Sequence, residues 1–535
     1  MLSLLSMKTD NTIYMKKIWL LAVVALFLLA SCGKVDLGKL VTGKPYIGQY
    51  HGNDVVVVLD QVSDGDVFGY AYLDKGDIIA DRIDFTSHVG REGRGQLKCG
   101  EDEEKLKLSV GDESLRGTIG ESDFVLHPYI ADSVSFQSYY RYPRYKVFEE
   151  HDRVYASGVP GYWTSYPETG EGFGAIYMRR LPDLAFTKER DLEMDLYYPQ
   201  EQSSVARPLL VLIHGGAFYN GDKGSAGFPE MGRHFAQRGY VVASINYRLG
   251  FRPTGQSIDR AGYRAVQDAN AAVRFLINHA HEFQIDADYI FVGGTSAGAI
   301  TALNLAFMRE ETRPEASRKI ALGPDLGPIE SVNPEIRLPF NIKAVVNMWG
   351  AVHDLSMLVS SKKTSVLSFH GDQDPIVPYD YGCPFHDMVS PLVEDVFRPM
   401  YGSKPITEKM ASLGARAELH TCHGGGHSLH VDEDGQLSEY FEDTILPNMT
   451  RFLCEEMAGG TIVNLVRAEP TGRVFEAQGV DNVTELHWQV EGGVVAAQQG
   501  HKMRALFFSD APKHSVTVSG KYKNGMEFRE KFNGK

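Results

Sequence analysis

The stretch from Tyr289 to Phe307, YIFVGGTSAGAITALNLAF, places a short apolar run, a tight turn and a longer apolar run in direct succession. The first run predicts a buried strand and the second a helix. Ser296 lies at the tip of the turn, between Gly294 and Gly298, which let the backbone turn sharply without Cβ clashes. A serine in this position is exposed beside the positive end of the helix dipole, which predicts a nucleophile. The simpler alternative is an ordinary serine N-cap on a strand-to-helix turn.

The composition is that of a folded protein and narrows the function classes. The chain has 535 residues, of which 43% are hydrophobic and 23% charged, so general disorder is excluded. The net charge of −15 disfavours nucleic acid as a partner, because such proteins need a basic surface. Five cysteines exclude a disulfide-dense scaffold. The length predicts three or four domains.

The N-terminus carries a targeting signal. Residues 15–32 read MKKIWLLAVVALFLLASC, with two lysines followed by 13 apolar residues, too few for a spanning helix. The ending Leu29-Ala30-Ser31-Cys32 resembles a bacterial lipobox. The resemblance implies that residues 1–31 are a signal peptide and that Cys32 is lipidated, which tethers the protein to a membrane of the cell envelope. The alternative is an uncleaved anchor with an incidental cysteine.

Two segments of alternating short strands flank the centre of the chain. We predict a tether and an antiparallel β-domain over residues 32–135, because alternating runs such as Asp54-VVVVLD are separated by Gly/Asp turns. Strands return over residues 458–535, which predicts a β-sandwich-like domain. This last segment is weakly similar to immunoglobulin-like or PKD-like modules. Residues 131–180, rich in Tyr, Pro and Gly, are interpreted mainly as a connecting segment.

Residues 136–457 form the predicted catalytic domain. Buried strands alternate there with helical stretches, which predicts an α/β fold with a mainly parallel central sheet. A helical pattern runs from Gly262 to Phe283. The predicted strands are Leu192–Tyr198, Leu209–Ile213, Tyr240–Asn246, Tyr289–Gly293, Ala344–Trp349, Ser365–His370 and Arg416–Thr421.

A second glycine-rich loop follows the strand LLVLI and reads His214-Gly-Gly-Ala-Phe218. Small residues leave backbone N–H groups accessible, and acyl transfer needs such donors to stabilise the oxyanion. We predict the N–H groups of Gly216, Ala217 and Ala297 for this role. His214 is expected to hold the loop rather than act as a base. The alternative is a glycine-rich loop without a ligand.

Together these motifs resemble the carboxylesterase/lipase group of the α/β-hydrolase superfamily. HGGAF, the sequence SINYRLG at 244–250 and GTSAGA occur in the order of that family, although Ala217 replaces the third glycine of its HGGG-type motif. The family's acid follows a strand in HGDQDPIVP at 370–378, which implies Asp374 rather than Asp372.

The catalytic base that the same resemblance implies lies in a cluster of four histidines. GGGH at 424–427 implies His427 as the base, with His423 as its competitor. A zinc site built from His420, His423, His427, His430 and Cys422 is the alternative, since these are metal-ligand types. Cys383 and Cys422 lie in the acid and base regions, so a disulfide between them is conceivable.

The resemblance implies a serine carboxylic-ester hydrolase that works through an acyl-enzyme without metal or cofactor. The expected substrates are short-chain or carbohydrate-linked esters, and the oligomeric state stays open. A serine peptidase of the prolyl-oligopeptidase type is one alternative, although residues 33–180 are too short for its propeller. A non-catalytic binding lipoprotein with this fold is the other. We expect residues 219–228 to line the substrate pocket. Further candidates for its wall are residues 310–340, residues 379–405 and Trp349.

Overall fold

The computed structural model describes most of the chain from residue 40 onward. The described ranges are 40–50, 53–63, 66–73, 79–89, 94–99, 102–110, 114–119, 122–134, 136–161, 188–203, 205–252, 254–320, 323–359, 363–385, 397–468 and 472–533. The predicted signal peptide and Cys32 lie outside them. None of the helices in these ranges is both long enough and apolar enough to span a membrane.

The chain divides into two compact units. The α/β unit comprises Tyr139–Gly460, and the β unit comprises the chain up to Ser138 together with the chain from Thr461 onward. The two flanking β-segments, predicted as separate domains, therefore group together. The predicted boundaries at 135/136 and 457/458 fall within a few residues of the divisions between the units.

The N-terminal part of the β unit is an eight-stranded antiparallel sheet that closes on itself, because β1 pairs with both β2 and β9. Its order is β1-β2-β3-β5-β6-β7-β8-β9. The strands are β1 Pro45–Tyr50, β2 Asn53–Ser63, β3 Asp66–Leu73, β4 Ile79–Ala80, β5 Arg82–Val89, β6 Arg94–Cys99, β7 Asp102–Val110, β8 Leu115–Ile119 and β9 Ser122–Pro128.

The α/β unit is built on an eight-stranded sheet of order β10-β11-β13-β12-β14-β15-β16-β19. The two pairings at the β10 edge are antiparallel and the other five are parallel. Its strands, with a small hairpin of β17 and β18 beside it, are β10 Val147–Gly161, β11 Lys188–Pro199, β12 Arg207–Ile213, β13 Val241–Ile245, β14 Ile285–Thr295, β15 Ile342–Met348, β16 Ser365–Gly371, β17 Tyr381–Gly382, β18 Met400–Tyr401 and β19 Ala417–Cys422.

Helices follow most of the parallel strands. Strands β12, β13 and β16 are buried along their whole length, which explains why they are continuous apolar runs rather than alternating ones. The helices are α1 Phe228–Ala236, α2 Gly255–Asn278, α3 Ala280–Phe283, α4 Ala297–Phe307, α5 Ser403–Ser412 and α6 Leu446–Ala458, with a π-helical turn Phe441–Ile445 and 3₁₀ turns Glu310–Thr312, Glu315–Ser317, Ile329–Ser331 and Leu355–Met357.

The C-terminal ends of the predicted strands in the α/β unit lie within one or two residues of the observed ends. Two other elements differ from the prediction. The long edge strand β10 lies in the segment interpreted as a connector. Its pairing with β11 is interrupted by three register shifts, so its sequence lacks the regular alternation of a strand. Helix α2 begins at Gly255, seven residues before the predicted start, because the Thr254 side chain accepts the Ser257 N–H and caps it.

The C-terminal part of the β unit adds two antiparallel sheets, of order β20-β21-β24-β23 and β22-β25-β26. The N-terminal strand β4 pairs with β24, and Val56 of β2 packs in one apolar cluster with Val494 and Leu506. The two segments therefore share a core. The strands are β20 Asn464–Arg467, β21 Val474–Gln478, β22 Val483–Glu491, β23 Gly493–Gln499, β24 Lys502–Phe508, β25 Ser515–Tyr522 and β26 Glu527–Asn533.

A buried histidine in α1 makes the stability of the α/β unit depend on pH. Burial, and then the Arg238 charge, lower the pKa of His234 to about 3. Its Nε2 lies 2.8 Å from Thr450 Oγ1, whose hydroxyl donates to the Leu446 carbonyl, so the Nε2–H donates to Thr450. Because the unfolded chain binds this proton below about pH 6.5 and the folded chain does not, stability falls as pH drops from about 6.5 toward 3.

We expect His234→Gln, which keeps a donor for Thr450, to flatten this dependence. Between pH 4 and 6 the slope of the free energy of unfolding against pH should decrease by about 1.4 kcal/mol per pH unit. Urea unfolding at several pH values measures the slope for both proteins. Equal slopes would contradict a neutral His234, and His281→Gln, at an exposed position of α3, serves as the control for the same exchange at the surface.

Candidate active site

Ser296 occupies the turn between β14 and α4 with a strained backbone, φ +51° and ψ −119°. Its N–H donates to the Met348 carbonyl of the neighbouring strand at 2.9 Å, which fixes the turn on the sheet. A Cβ on Gly294 would lie 2.5 Å from the Ile213 carbonyl oxygen, and one on Gly298 only 1.9 Å from it. Both positions therefore require glycine, as the sequence pattern indicated.

The structure brings Ser296, His427 and Asp374 together. His427 Nδ1 lies 2.7 Å from Asp374 Oδ2, and His427 Nε2 lies 3.0 Å from Ser296 Oγ. Since an ionised carboxylate only accepts, Nδ1 carries the proton and Nε2 is free to accept the serine O–H. The acid and base follow the adjacent parallel strands β16 and β19, whose carboxyl ends meet at the same edge of the sheet.

The Asp374 side chain is fully buried, and four donors surround its carboxylate. Oδ1 accepts the N–H groups of Ile376 and Val377 at 2.8 and 3.0 Å. Oδ2 faces His427 Nδ1 and, at 3.2 Å, His370 Nε2. Burial alone would raise the pKa of Asp374, but the hydrogen bonds from His370 and His427 hold it well below its ordinary value. The carboxylate is therefore ionised at neutral pH.

His370 is a residue of the candidate site that the sequence analysis did not single out. It is fully buried, and its Nδ1 lies 2.7 Å from Ser403 Oγ. Asn347 donates an amide hydrogen to the same Ser403 oxygen at 2.9 Å, and its own amide oxygen accepts the Gly350 N–H. His370 Nε2 faces two acceptors, Asp374 Oδ2 and the Val377 carbonyl, so it carries the ring hydrogen. With the hydrogen on Nε2, Nδ1 is an acceptor, and the Ser403 hydroxyl donates to it.

The predicted oxyanion loop lies against the nucleophile. A Cβ on Gly215 would be 3.3 Å from Ser296 Cβ, so the loop passes directly over the serine. Gly216 has φ +103° and Ala217 φ +54°, so successive peptide groups are turned out of a regular strand. In the described ranges, the N–H groups of these two residues donate to no protein acceptor. Ala297 is the first residue of α4, where an N–H has no partner within the helix.

Buried polar groups hold this loop in place. His214 is fully buried, its Nδ1 lies 2.7 Å from the Gly215 carbonyl, and its ring stacks on Tyr247 at 4.4 Å. Burial lowers the pKa of His214 to about 4, so it stays neutral and supports the loop. Farther along the loop, the Lys223 ammonium lies 2.9 Å from the buried Asp195 carboxylate. The backbone N–H of Lys223 donates to Asn246 Oδ1 at 2.8 Å.

The competing residues have other partners. Asp372 accepts the Gly424 N–H at 2.7 Å and faces His423 at 2.9 Å, outside the buried triad. His420 stacks on Phe369, and His430 stacks on Trp349. Throughout the part of the chain that the structure describes, no three His, Cys, Asp or Glu side chains group as metal ligands would. Cys383 and Cys422 are both free, so the disulfide considered between them is not present.

Two cavities meet at Ser296. The first cavity is mainly apolar and reaches from Ala217 and Ala297 past Phe218 and Tyr263 to Asp259. Among the described residues, the 379–405 segment contributes Pro384, Phe385, Phe397, Arg398 and Met400 to it, and the 310–340 segment contributes Pro314.

The second cavity contains His427 and is lined by more polar groups. Residues 219–228 contribute Asn220, Gly221, Ser225 and Phe228 to its wall, as expected for the segment that follows the oxyanion loop. Trp349, a further candidate for the pocket wall, is fully buried and lines this cavity.

Comparison with known proteins places the similarity in the α/β unit. Residues 194–365, less than half of the chain, match the model of the BD-FAE family. Gut esterase 1 of Caenorhabditis elegans is 30% identical over 141 residues, covering 26% of this chain and 24% of that protein. The isoprenylcysteine alpha-carbonyl methylesterase of Arabidopsis thaliana is 25% identical over 272 residues, covering 47% of this chain and 58% of that protein.

Among solved structures, a propionate-bound thermophilic esterase of Thermogutta terrifontis matches with 20% identity and a TM-score of 0.35, covering 50% of this chain and 89% of that chain. A truncated carbohydrate esterase from gut microbiota matches with 18% identity and a TM-score of 0.34, covering 57% and 99%. The chain spans less than two thirds of the curated relatives' length. Strand order, the turn at Ser296 and the sequence similarity agree that the α/β unit is similar to α/β-hydrolases of the carboxylesterase group.

Proposed function

We propose that this protein is a serine carboxylic-ester hydrolase with Ser296 as nucleophile, His427 as base and Asp374 as the orienting acid. The observation that carries the proposal is the unbroken contact from Asp374 through His427 to Ser296 Oγ, at 2.7 and 3.0 Å, where two cavities meet. This is the geometry of an activated serine, because the base reaches the hydroxyl and the carboxylate fixes the base's tautomer.

The first half of the reaction forms an acyl-enzyme. Ser296 Oγ attacks the ester carbonyl carbon while His427 Nε2 takes the hydroxyl proton. The carbonyl oxygen becomes an oxyanion beside the N–H groups of Gly216, Ala217 and Ala297, which have no competing protein acceptor. When the intermediate collapses, the C–O bond to the leaving alcohol breaks and His427 protonates that oxygen.

The second half uses water in place of the alcohol. His427 takes a proton from the water as its oxygen attacks the acyl carbon. The same donors receive the oxyanion, and collapse breaks the bond to Ser296 Oγ, which regains the proton from His427. The carboxylic acid leaves, and the enzyme returns to its starting state. Every proton in this cycle passes through His427 Nε2.

The position of His427 assigns the two cavities. The leaving oxygen must lie near Nε2 to be protonated, so the alcohol part occupies the second cavity, which contains His427. The acyl part then occupies the first cavity, which contains Ser296 and the oxyanion loop but not His427. We propose small-molecule esters as substrates. The polar side chains of Asn220, Ser225 and His430 in the second cavity favour a hydroxyl-rich alcohol such as a sugar.

We also propose that the protein works as a lipid-anchored lipoprotein of the cell envelope. The proposal rests on the sequence of residues 15–32, in which charge, apolar run, small residues and Cys32 follow in order. A lipidated cysteine would tether the folded units outside the cytoplasm.

Replacing the nucleophile should abolish ester hydrolysis. We expect Ser296→Ala to lower kcat for 4-nitrophenyl acetate by at least about 10³-fold, because no other group can form the acyl-enzyme. The exposed Ser412→Ala, on α5, should leave the rate unchanged. Activity that survives in Ser296→Ala would refute the assignment. Cleavage of Gly-Pro-nitroanilide without ester cleavage would indicate a peptidase instead, and a folded protein silent on a broad ester panel would indicate a binding module.

The buried hydrogen bonds from Ser403 to His370 and from His370 to Asp374 should affect kcat without changing substrate binding. Ser403→Ala removes the hydroxyl that donates to His370 Nδ1, and we expect kcat to fall about 5-fold, the loss of one hydrogen bond of about 1 kcal/mol. KM should not change, since Ser403 touches neither cavity. Ser403→Thr keeps the hydroxyl and should recover part of kcat. A change in thermal stability with kcat intact would show that these hydrogen bonds are only structural.

Lipidation can be tested directly in a bacterial host. Cells that express the full chain are grown with an alkyne-labelled fatty acid, and Cys32→Ser is compared with wild type. We expect label and membrane association in the wild type only, because the thioether at Cys32 is the attachment point. Cys383→Ser, a free cysteine of the α/β unit, is the matched control and should keep the label. Equal labelling of Cys32→Ser would contradict the lipobox.

A further inference from the structure

The wall of the first cavity contains one arginine, Arg398, among mainly apolar neighbours. Its side chain is 56% exposed, so a ligand can reach it. A guanidinium carries five N–H donors in a planar fork. Within the described ranges none of these donors has a hydrogen-bond acceptor in the protein. The ester hydrolysis described above does not use them either, so Arg398 has donors to offer to a substrate.

A buried carboxylate holds this guanidinium at the cavity wall. Arg398 Nη2 lies 3.3 Å from Asp259 Oδ2, as an ion pair without hydrogen-bond geometry. The Asp259 side chain is only 6% exposed, and its Oδ2 is buried. Since the arginine is exposed and the carboxylate oxygen is not, the guanidinium lies on the outer side of the pair and covers Oδ2. Its remaining N–H groups therefore face away from Asp259.

The backbone beside Arg398 is anchored to the rest of the α/β unit. His353 Nδ1 lies 3.4 Å from the carbonyl oxygen of Pro399, the residue that follows Arg398. Two residues further on, Tyr401 and Val352 exchange backbone hydrogen bonds of 2.8 and 2.9 Å. The chain that carries Arg398 is therefore fixed on its C-terminal side, so the guanidinium is presented from a defined position.

One continuous cavity joins Arg398 to the reaction centre. Ser296 and Ala297 line it at one place, and Arg398 lines it at another. Asn304, seven residues after Ala297 on α4, also lines it, so the cavity extends about 10 Å along that helix. Most of its other lining groups are apolar, among them Ile300. A ligand that reaches from Ser296 to Arg398 is therefore surrounded by apolar groups along its length and meets a cation at its end.

We propose that Arg398 binds a carboxylate at the far end of the acyl part of the substrate, so that the preferred substrates are half-esters of apolar dicarboxylic acids. This inference rests on the proposed esterase function and on the assignment of the first cavity to the acyl part. The planar fork of a guanidinium matches the two oxygens of a carboxylate, and such charge-assisted pairs are among the strong hydrogen bonds of proteins.

The order of the charges selects an anion over a cation or an alkyl end. A carboxylate on the exposed side of the guanidinium contacts Arg398 directly and has Asp259 behind it, so the attraction acts over a shorter distance than the repulsion. A substrate ammonium group in the same place meets the guanidinium first and is repelled. A plain alkyl end fits the apolar path but gains no hydrogen bond from Arg398.

The test compares matched esters on the full-length protein. The substrates are 4-nitrophenyl hexanoate, octanoate and decanoate, each alongside the mono-4-nitrophenyl ester of the dicarboxylic acid of the same length, so that the distance to Arg398 is sampled. We expect wild type to prefer the half-ester in at least one pair by about 10-fold in kcat/KM, the lower end of the range for a hydrogen bond to a charged group, because Arg398 is partly exposed.

Two further measurements test the electrostatic origin of the preference. Raising NaCl from about 0.05 M to about 1 M should reduce it, since salt screens exposed charges, and the alkyl esters give the effect of salt on the reaction itself. The 4-nitrophenyl ester of ω-trimethylammonio-octanoic acid should be a poorer substrate than the half-ester of octanedioic acid.

Two variants then locate the preference. Arg398→Gln removes the charge and should abolish the preference by lowering kcat/KM for the half-ester relative to the alkyl ester. Arg398→Lys keeps the charge without the fork, and should show an intermediate preference even if Arg398→Gln folds poorly. The exposed Arg337, which lines neither cavity, gives the matched control Arg337→Gln, which should keep the wild-type preference.

The outcomes separate this inference from the proposed function. If wild type hydrolyses alkyl esters and half-esters equally, or if the preference survives in both Arg398 variants, the recognition role of Arg398 is wrong while the esterase function stands. A preference that salt does not reduce, or a preference for the trimethylammonio ester, would also overturn it. If wild type hydrolyses none of the esters, the proposed function itself fails.

Discussion

The site depends on one close approach of two backbones. The start of α4 at Gly298 lies against the carbonyl oxygen of Ile213, the last residue of β12, so closely that a Cβ would be 1.9 Å away. The loop that follows β12 immediately carries Gly216 and Ala217. A contact that only glycine permits therefore sets the spacing between Ser296 and the N–H groups of Gly216 and Ala217 before any side chain is considered. Asp374 and His427 are then placed by the order of the parallel strands.

Backbone strain concentrates around this contact. Among the described non-glycine residues with positive φ, Ala217, Ser296, Trp349, Phe385 and Ser428 all line the second cavity. Each such residue costs about 1–3 kcal/mol, so the surrounding structure must hold them in place. The fully buried strand ends and the aromatic stack of Trp349 on His430 provide that support. The unit thus gives up stability at the place where geometry matters most for chemistry.

Features that short-range interactions determine could be predicted from the sequence, whereas features that depend on long-range pairing could not. The turn at Ser296 and the loop at Gly216 could be predicted, because steric constraints within a few residues require glycine at these positions. Strands β12 and β16 were predictable from continuous apolar runs. The pairing of β4 with β24 was not, because it joins residues more than 400 positions apart. The edge strand β10 was missed because its bulges break the alternation.

The same reasoning explains why His370 escaped sequence analysis. A histidine at the end of a buried strand is ordinary in isolation. Its significance arises from a buried carboxylate that needs donors. Asp374 has four donors, and the fourth is His370, whose Nδ1 contacts a serine hydroxyl of another element.

The hydrogen-bond state of Asp374 has a physical consequence for the site. A buried carboxylate whose oxygens are all supplied with donors keeps its charge and its position, and it can serve as a fixed electrostatic partner for a neighbouring imidazole. Two of the donors to Asp374 are the N–H groups of Ile376 and Val377, which lie two and three residues after it in the chain. The local loop therefore fixes one carboxylate oxygen and leaves the other for His427 and His370. Orientation of the imidazole requires such a completed network, because a carboxylate with a missing donor could rotate away from His427.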